Sequence, residues 1–228
     1  MKEIIEQLGK TFPFSVLTKK ELEQLAEDAS AIALAQDESL FQAHSPSDGF
    51  YLVVSGGIKL IRNNPGQGRL ILEFFGPGEL VLEEGLFENT AHSSEARPIG
   101  AVKLLKIGHK AMRKFLESNA NFTSSWFQLA SARLNCYRER LESLVFMDVE
   151  RRLAGALLLL GKKFGKKDDK GTMINLKVTH QDLSEYVAAS RETVSLALGD
   201  LRRKKLLQAK MRWLVIPDLK ALRKRAEN

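Results

Sequence analysis

The chain has a single cysteine, Cys136, among its 228 residues. One thiol cannot form a disulfide within the chain, and it cannot supply the several thiolates of an iron–sulfur cluster or a multi-cysteine zinc site. The sequence therefore excludes those groups, and a reducing compartment is the simplest setting. Cys136 itself is either a small packed hydrophobic residue, which we favour, or a redox-active thiol.

Long apolar runs are also missing. The most apolar stretch, Leu153 to Leu160, is far shorter than the roughly 20 residues that cross a bilayer. At the N-terminus, Glu3 and Glu6 interrupt the apolar run that a signal peptide needs. We expect a cytoplasmic protein that is not secreted and does not enter a membrane.

Catalytic motifs are absent from the sequence. It contains no HExxH pattern and no nucleophile with a base at a characteristic spacing. Gly76-Pro77-Gly78 lacks the spacing of a phosphate-binding GxGxxG loop. We predict that the protein is not an enzyme and that it has no metal site.

The sequence pattern changes along the chain. Hydrophobic residues make up 44% and charged residues 28%, which is typical of globular proteins. Residues 1–30 have helical spacing, with Thr18 and Glu21 in a capping-box pattern. Short β-like runs fill residues 31–108, and the pattern after Lys106 is helical. We predict an α+β protein whose short strands form a β-roll, barrel or sandwich.

Glycine-rich segments separate the β-like runs, and we expect the strands to reverse at each of them. They are Ser55-Gly56-Gly57, Asn63-Asn64-Pro65-Gly66 and Gly76-Pro77-Gly78. A further segment, Gly161–Gly171, is charged and contains three glycines, which predicts a loop.

Apolar residues between Phe127 and Leu144 recur in steps of three and four, which is the spacing of a heptad seam. Such a seam either pairs two chains or packs the helix on its own domain. The seam consists of Phe127, Ala130, Leu134, Tyr137, Leu141 and Leu144. It stops at Phe146, and Asp148 is placed to cap a new helix that runs to about Phe164. We therefore place a domain boundary near residue 146.

Charge is distributed unevenly about that boundary. Residues 146–228 contain 19 Lys and Arg against 10 Asp and Glu, whereas residues 1–145 contain 16 against 18. The formal net charge of +7 therefore comes from the C-terminal third. This distribution favours an anionic partner such as nucleic acid over an ordinary solvated basic face, but only weakly.

Two short helices joined by a tight turn lie within the basic third and predict a helix-turn-helix. Thr179 and Asp182 form a capping box for the first helix, and Ser190 is placed to cap the second, which runs to about Lys205. Such a motif places its second helix in the DNA major groove. A generic helical hairpin with solvated charges is the alternative. The segments Leu206–Ala209 and Arg212–Ile216 then predict the two strands of a wing.

Exposed positions of the second helix carry side chains that suit base reading. Arg191 can donate two hydrogen bonds to guanine, Glu192 can accept one from cytosine, and Ser195 lies one turn further along. Other hydroxyl and amide groups suit phosphate oxygens, contacts that position a protein without specifying a sequence. These are Thr179, Gln181, Ser190 and Thr193.

Ser190-Arg191-Glu192-Thr193-Val194, preceded by Thr179-x-Gln181-Asp182-Leu183, resembles the recognition motif of the cyclic-AMP receptor protein/FNR (CRP/FNR) family of bacterial transcription regulators. Upstream, Tyr51–Leu60 resembles the family's cyclic-nucleotide-binding β-roll signature, and Gly78-Glu79-Leu80 with Gly85-Leu86-Phe87 resembles its phosphate cassette. Phe146-Met147-Asp148-Val149 resembles its interdomain hinge. The resemblance covers roughly residues 12–216 in the family's order.

The resemblance implies an effector-sensing β-roll domain (double-stranded β-helix or jelly roll) with flanking helices at 1–118, a dimerisation helix at 119–145 and a winged helix-turn-helix at 146–228. Phe146 and Asp148 would form the hinge. It also implies a homodimer that binds pseudo-palindromic double-stranded DNA, contacts RNA polymerase and responds to a small-molecule effector. We expect a sequence-specific transcription regulator, an activator rather than a repressor. The alternative is an effector sensor that acts through protein contacts with little DNA binding.

The effector pocket departs from the family pattern. Members that bind cyclic AMP hold its phosphate with an Arg-Ser pair, and the aligned positions here are Ser93 and Ser94. Glu83 matches the ribose-binding glutamate, and Tyr137 and Arg138 replace small hydroxyls near the adenine. Arg138 either supplies the missing cation or is solvated, and we favour the solvated state. Because the bidentate phosphate contact is lost, we predict that cyclic AMP is not the effector.

Cofactors are not evident in the sequence. Haem would need His44, His92 or His109 as an axial ligand, and isolated histidines are usually surface or satisfied residues. We therefore predict no haem.

Two positions of the predicted helix-turn-helix also differ from the family pattern. Leu196 stands where a second arginine is common, so we expect a specificity that overlaps TGTGA-like half-sites without copying them. Ala188 replaces the usual turn glycine, which is strained if its φ is positive.

Overall fold

The structure is a computed structural model, and it describes residues 1–66, 68–81, 91–211 and 213–227. The chain divides into two compact units. The first unit comprises Met1–Leu60 and Phe75–Arg138, and the second comprises Ile61–Phe74 and Glu139–Asn228. A segment from the β-rich part of the sequence thus belongs to the same unit as the C-terminal helices.

Helices precede and follow the strands in the N-terminal part of the chain. The elements are α1 (Lys2–Gly9), a short 3-10 helix (Phe14–Val16), α2 (Lys19–Glu27), β1 (Ala29–Leu34), β2 (Gly49–Asn64), β3 (Gly68–Phe75), β4 (Leu80–Val81), β5 (Glu95–Gly108), α3 (His109–Ser118) and α4 (Ala120–Phe146). Among the described residues, the strands follow the order β1-β5-β2-β3, and β4 also pairs with β2. The antiparallel register places Ile32 opposite Leu104 and Leu52 opposite Leu80.

Aromatic side chains fill the core of the first unit. The rings of Phe14 and Phe122 stack with centroids 5.7 Å apart, and Phe50 meets Trp126 edge-on at 5.2 Å. The predicted capping box at the start of α2 is confirmed, because the Thr18 hydroxyl and the Glu21 carboxylate each accept from the other's backbone N–H. These contacts tie the beginning of α4 to the sheet and to the N-terminal helices.

Strand β2 runs without interruption from Gly49 to Asn64, so the reversal predicted at Ser55-Gly56-Gly57 is wrong. Gly56 has a φ of +82°, and a Cβ atom there would lie 2.5 Å from the carbonyl oxygen of Ala101. Glycine is needed for the close approach of β5, not for a change of direction. The turns at Pro65-Gly66 and Gly76–Gly78 separate strands as predicted.

The second unit contains the C-terminal helices and a small antiparallel sheet of order β6-β7-β9-β8. Its elements are α5 (Val149–Phe164), β6 (Gly165–Asp168), β7 (Gly171–Ile174), α6 (His180–Val187), α7 (Arg191–Arg203), β8 (Gln208–Lys210), β9 (Trp213–Ile216) and α8 (Leu219–Glu227). The predicted end of α5 at about Phe164 is confirmed. The predicted loop at Gly161–Gly171 is wrong, because its first residues belong to α5 and the rest form the β6–β7 hairpin. Strand β7 pairs on one side with β6 and on the other with β9, which lies far along the chain.

The buried face of α7 agrees with the sequence pattern. Four apolar residues at helical spacing on α7 are buried, as are two apolar residues of α6. They are Val194, Ala197, Leu198 and Leu201 on α7, and Leu183 and Val187 on α6. Within the described ranges, no helix is long and apolar enough to cross a membrane.

Candidate nucleic-acid interface

Helix α6 begins with the predicted capping box. The Thr179 hydroxyl accepts from the backbone N–H of Asp182 at 3.0 Å, and the Asp182 carboxylate accepts from the backbone N–H of Thr179 at 2.9 Å. The helix ends at Ala188, whose φ of +53° and ψ of +57° put it in the left-handed region. The strain expected from replacing glycine at this turn is therefore present.

Helix α7 begins with Ser190 as its cap. The Ser190 Oγ accepts from the backbone N–H of Thr193 at 3.1 Å and lies 2.9 Å from the Thr193 Oγ1. Both side chains are exposed. The two proposed phosphate ligands are thus fixed beside each other at the N-terminal end of the helix, where anions are favoured.

The three proposed base-reading side chains, Arg191, Glu192 and Ser195, are all exposed on α7. The backbone N–H of Glu192 and the Ser190 hydroxyl lower the pKa of the Glu192 carboxyl, so it stays an ionised acceptor. Leu196 is also turned outward, with 71% of its surface exposed. This face therefore combines a cation, an anion, a hydroxyl and an apolar group.

His180 is a neighbour of this face that the sequence reasoning did not select. Its Nδ1 lies 3.0 Å from the Ser195 Oγ, which joins the start of α6 to the reading face of α7. Burial lowers the pKa of His180, and the charges of Arg202 and Arg191 lower it further. Nothing in the local sequence marked this histidine, because its partner is one helix away.

Gln181 is exposed, and its Nε2 donates to the Glu185 Oε1 at 3.0 Å. It borders a cleft of about 890 Å³ in the second unit, together with the beginning of α7. The lining includes Arg62, Asn64 and Arg69 as well as Gln181, Ser190 and Arg191. No local sequence signal groups the first three residues with the others.

The predicted wing is present as strands β8 and β9, with Lys210 opposite Trp213. Lys210 is paired with Asp168 at 2.6 Å and with Asp169 at 3.0 Å. These contacts lower the pKa of Asp168 to about 2, Lys210 being the largest cause. The wing is thus tied to the β6–β7 hairpin, and its exposed tip carries Met211.

Glu83 of the proposed effector pocket lies outside the described residues, as does the Gly85-Leu86-Phe87 part of the cassette. Ser94 is buried, and its Oγ lies 3.4 Å from that of Ser93. Tyr137 and Arg138 are exposed on α4. The proposed pocket is therefore described only in part.

Arg133, on α4, contacts the Gly78-Glu79-Leu80 part of the cassette, and no local sequence signal predicts this contact. Its two terminal nitrogens donate to the carbonyl oxygen of Leu80, each at 3.1 Å, and its guanidinium lies 5.0 Å from the centre of the Phe75 ring. An arginine from α4 thereby holds the strand that leads into the cassette.

The three histidines considered for haem have different surroundings. His92 is buried and stacks on Phe41 with ring centroids 3.7 Å apart. His109 lies 5.1 Å from the Phe50 ring, and burial lowers its pKa. His44 is exposed. No group of three or more His, Cys, Asp or Glu able to hold a metal ion is found in the part of the chain that the structure describes.

The heptad seam lies on α4, and most of its large side chains face outward. Phe127 is 66% exposed and Leu141 is 64% exposed. Cys136 is also exposed, so the expectation of a packed hydrophobic residue is wrong for the described chain. At the end of the helix Phe146 is 78% exposed, and Asp148 caps α5 by accepting from the backbone N–H of Arg151 at 2.8 Å.

Two sequence-family models match the chain in the order of its two halves. The cyclic nucleotide-binding domain matches residues 31–119, and the Crp-like helix-turn-helix domain matches residues 151–225. The CRP-like cAMP-activated global transcriptional regulator of Mycobacterium tuberculosis is 25% identical over 226 residues, which cover 99% of this chain and 100% of that protein.

Solved structures of regulators share the fold. A CRP/FNR-family transcriptional regulator from Thermus thermophilus is 25% identical with a TM-score of 0.71, covering 87% of this chain and 99% of that one. The c-di-GMP responsive global regulator CLP of Xanthomonas campestris is 24% identical with a TM-score of 0.72, covering 88% and 100%. These relatives are transcription regulators and not enzymes. The two family models, at residues 31–119 and 151–225, together with the regulator from Mycobacterium tuberculosis, show that the chain belongs to the CRP/FNR family of DNA-binding transcription regulators.

Proposed function

We propose that the protein is a homodimeric regulator, an activator, that binds a pseudo-palindromic DNA site and contacts RNA polymerase. The exposed N-terminal face of α7 carries this proposal. Arg191 and Glu192 would read base edges, with Ser195 beyond them, while Ser190 and Thr193 would hold phosphate. Two such helices in a dimer would enter successive major grooves about 34 Å apart.

Phosphate contacts are also proposed at the start of α6, from Thr179 and Gln181. The Thr179 hydroxyl is already used in the capping box, so a phosphate would bind next to a preformed cap. Gln181 is exposed beside Ser190 in the same cleft. DNA binding also supports a cytoplasmic location, where the chromosome of a bacterium lies.

Selection of bound fragments from random double-stranded DNA tests this function, with and without small molecules extracted from cells. We expect a two-fold symmetric consensus whose enrichment changes with the extract. A uniform, sequence-independent enrichment would contradict the proposal. It would favour an effector sensor that acts through protein contacts.

The seam on α4 is proposed as the dimer interface. Isolated apolar side chains on a surface are ordinary, but a stripe at heptad spacing on one helix is suited to a second copy of the same helix. The seam includes Phe127, Ala130, Leu134, Tyr137, Leu141 and Leu144, of which only Leu144 is half-buried in the described structure.

Sedimentation of a charged variant tests the interface. Leu134→Glu should convert the dimer to monomer, whereas Gln128→Glu, an exposed change on the same helix but off the seam, should leave the dimer intact. A Leu134→Glu protein that remains dimeric would exclude the seam.

The effector is proposed to be a small molecule other than cyclic AMP, and the protein is proposed to work without a cofactor. Ser93 stands in place of the phosphate-binding arginine, and Arg133 is engaged with the Leu80 carbonyl. Arg138 is proposed to be solvated. Calorimetry with cyclic AMP should show no binding at micromolar concentration, and the same titration with other nucleotides searches for the true ligand.

Haem is not expected, since His92 stacks in the core and His109 lies against Phe50. A purified protein with a Soret band would overturn this. Residues 1–118, 119–145 and 146–228 are proposed as sensing, dimerisation and DNA-binding regions, with Phe146 and Asp148 as the hinge.

A further inference from the structure

A cleft within the second unit has walls from two distant parts of the sequence. We call it the hairpin cleft, because one wall comes from the end of β2 and the start of β3. That wall includes Arg62, Asn64 and Arg69, and the helix-turn-helix wall includes Gln181 and Arg191. Its volume is about 890 Å³.

Positive charge dominates the lining. Arg62, Arg69 and Arg191 are exposed there, whereas the acidic residue among the described lining residues is Glu185, which is buried and accepts from Gln181. Like charges that share one concave surface repel each other and raise the local concentration of anions. The hairpin cleft is therefore suited to an anionic occupant.

Strand β3 of the β2–β3 hairpin is held against α6 by hydrogen bonds and a ring contact. Arg140 Nη2 donates to the carbonyl oxygens of Ile71 at 2.6 Å and Tyr186 at 2.8 Å. The Phe74 ring lies 5.0 Å from the Tyr186 ring, and Lys163 Nζ donates to the Phe74 carbonyl at 2.5 Å. Since β3 is held at several points, Arg62 and Arg69 of the β2–β3 hairpin keep a defined position beside the start of α7.

We propose that the hairpin cleft receives the sugar–phosphate backbone of bound DNA, with Arg62 and Arg69 as phosphate contacts from outside the helix-turn-helix. This inference rests on the proposed DNA-binding function. Gln181 and Ser190, both proposed phosphate ligands, line the same cleft, so a strand that reaches them lies next to the hairpin. Guanidinium groups bind phosphate oxygens in bidentate fashion and supply charge without reading a base.

Salt dependence of DNA binding by the full chain tests the contacts. Each neutralised phosphate contributes about 0.9 to the slope of log K against log salt concentration. Arg62→Ala/Arg69→Ala removes two contacts from each protomer of the proposed dimer, so it should reduce that slope by about 3.6. Between about 50 and 200 mM salt, the affinity of the double variant should therefore change by about 150-fold less than that of the wild type. Both side chains are exposed, so a thermal melt should confirm an intact fold.

The matched control is Lys19→Ala/Lys20→Ala, which removes two exposed positive charges of α2 that do not line the cleft. It should leave the slope within about 0.3 of the wild type if the effect depends on contact and not on net charge. An unchanged slope in the arginine variant overturns the proposal. Tighter DNA binding by the arginine variant also overturns the proposal, since the β2–β3 hairpin would then block the DNA-reading face of α7.

Sequence preference separates this inference from the proposed function. The hairpin variant should keep the wild-type consensus and lose affinity equally for specific and random DNA, because its contacts carry no sequence information. If wild-type protein shows no consensus at all, the DNA-binding function fails. If it has a consensus and the arginine variant keeps the full salt slope, only the hairpin contacts fail.

A small phosphodiester is the other source of the same ligand chemistry. Titration of the DNA-free protein with the dinucleotide thymidylyl-thymidine should show no binding below millimolar concentration. Micromolar binding that disappears in the arginine variant, with the DNA salt slope unchanged, would assign the cleft to a small ligand and overturn the proposal.

Discussion

The guanidinium carbon of Arg140 lies 4.2 Å from the centroid of the Tyr186 ring, and the same guanidinium donates to the Tyr186 carbonyl oxygen at 2.8 Å. It also donates to the carbonyls of Ile71 and Leu72. A single planar group thus serves an aromatic face and three backbone acceptors. This combination requires the fork geometry of arginine and not merely its charge.

Arg140→Ala should lower the free energy of unfolding by about 2 kcal/mol, because charged hydrogen bonds are lost and acceptors are left unpaired. Arg140→Lys should recover less than half of that loss, since an ammonium cannot reach all three carbonyls. Urea denaturation measures both. Arg138→Ala, an exposed change two residues away, should stay within about 0.5 kcal/mol of the wild type.

Arg191→Ala should weaken binding to the selected DNA site by about 1–3 kcal/mol and relax the preference at one base pair. The reason is that a bidentate contact to guanine discriminates between bases. Fluorescence anisotropy against single-base variants of the site measures this. If affinity falls equally for every sequence, Arg191 contacts phosphate instead.

Leu196 supplies an apolar surface where an arginine is common in the family. It is 71% exposed on the reading face, so we expect a contact with a thymine methyl group. Leu196→Arg should replace a thymine preference by a guanine preference at one position of each half-site. Repeating the site selection with this variant tests the shift, and an unaltered consensus would show that the side chain does not reach a base.

Ala188→Gly should stabilise the protein by about 0.5–1 kcal/mol, because relief of left-handed strain exceeds the added backbone entropy of the unfolded chain. Ala189→Gly is the matched control, since Ala189 does not have a positive φ. It should destabilise by a similar amount. Equal effects of both changes in thermal unfolding would rule out strain at Ala188.

His180 should make DNA binding pH-dependent. Its pKa is lowered in the free protein, by burial first and then by Arg202 and Arg191, so the ring is neutral at physiological pH. DNA phosphates would raise that pKa, so affinity should increase as the pH falls from about 8 towards 6. His180→Gln, which keeps a partner for Ser195, should flatten the profile.

Stability of the DNA-free protein should change in the opposite direction. Because the folded-state pKa of His180 lies below its usual value of about 6.5, the stabilising contribution is complete above that pH. It is lost as the pH falls towards the lowered pKa. If His180→Gln and the wild type have the same pH profiles, both for DNA binding and for unfolding, this histidine is excluded as the cause.

Local signals allowed the caps and helix faces to be predicted. Thr179 with Asp182, and Ser190 with the backbone of Thr193, act over three residues, so the sequence alone contains both partners. The burial of Val194 and Leu198 follows from helical periodicity in the same way. The proposed DNA-reading positions depend on these short-range features, which is why they could be numbered from the sequence.

Features that depend on distant partners were missed. The local sequence predicts a turn at Gly56, because the carbonyl oxygen that requires a glycine belongs to Ala101, on another strand. It predicts a loop after α5, because β9, which completes the pairing of the β6–β7 hairpin, lies about forty residues further along the chain. No local sequence signal predicts the role of Arg140, since its acceptors are on β3 and α6.

The exposed thiol on α4 makes the protein convenient for spectroscopy. Because Cys136 is the chain's sole cysteine and is open to reagents, a spin label or fluorophore can be attached at one site without removing any other cysteine. In the proposed homodimer, a pair of labelled chains would then report the separation of their two α4 helices as a distance distribution. That distribution, recorded with and without DNA or nucleotides, measures the regulator's response in solution directly.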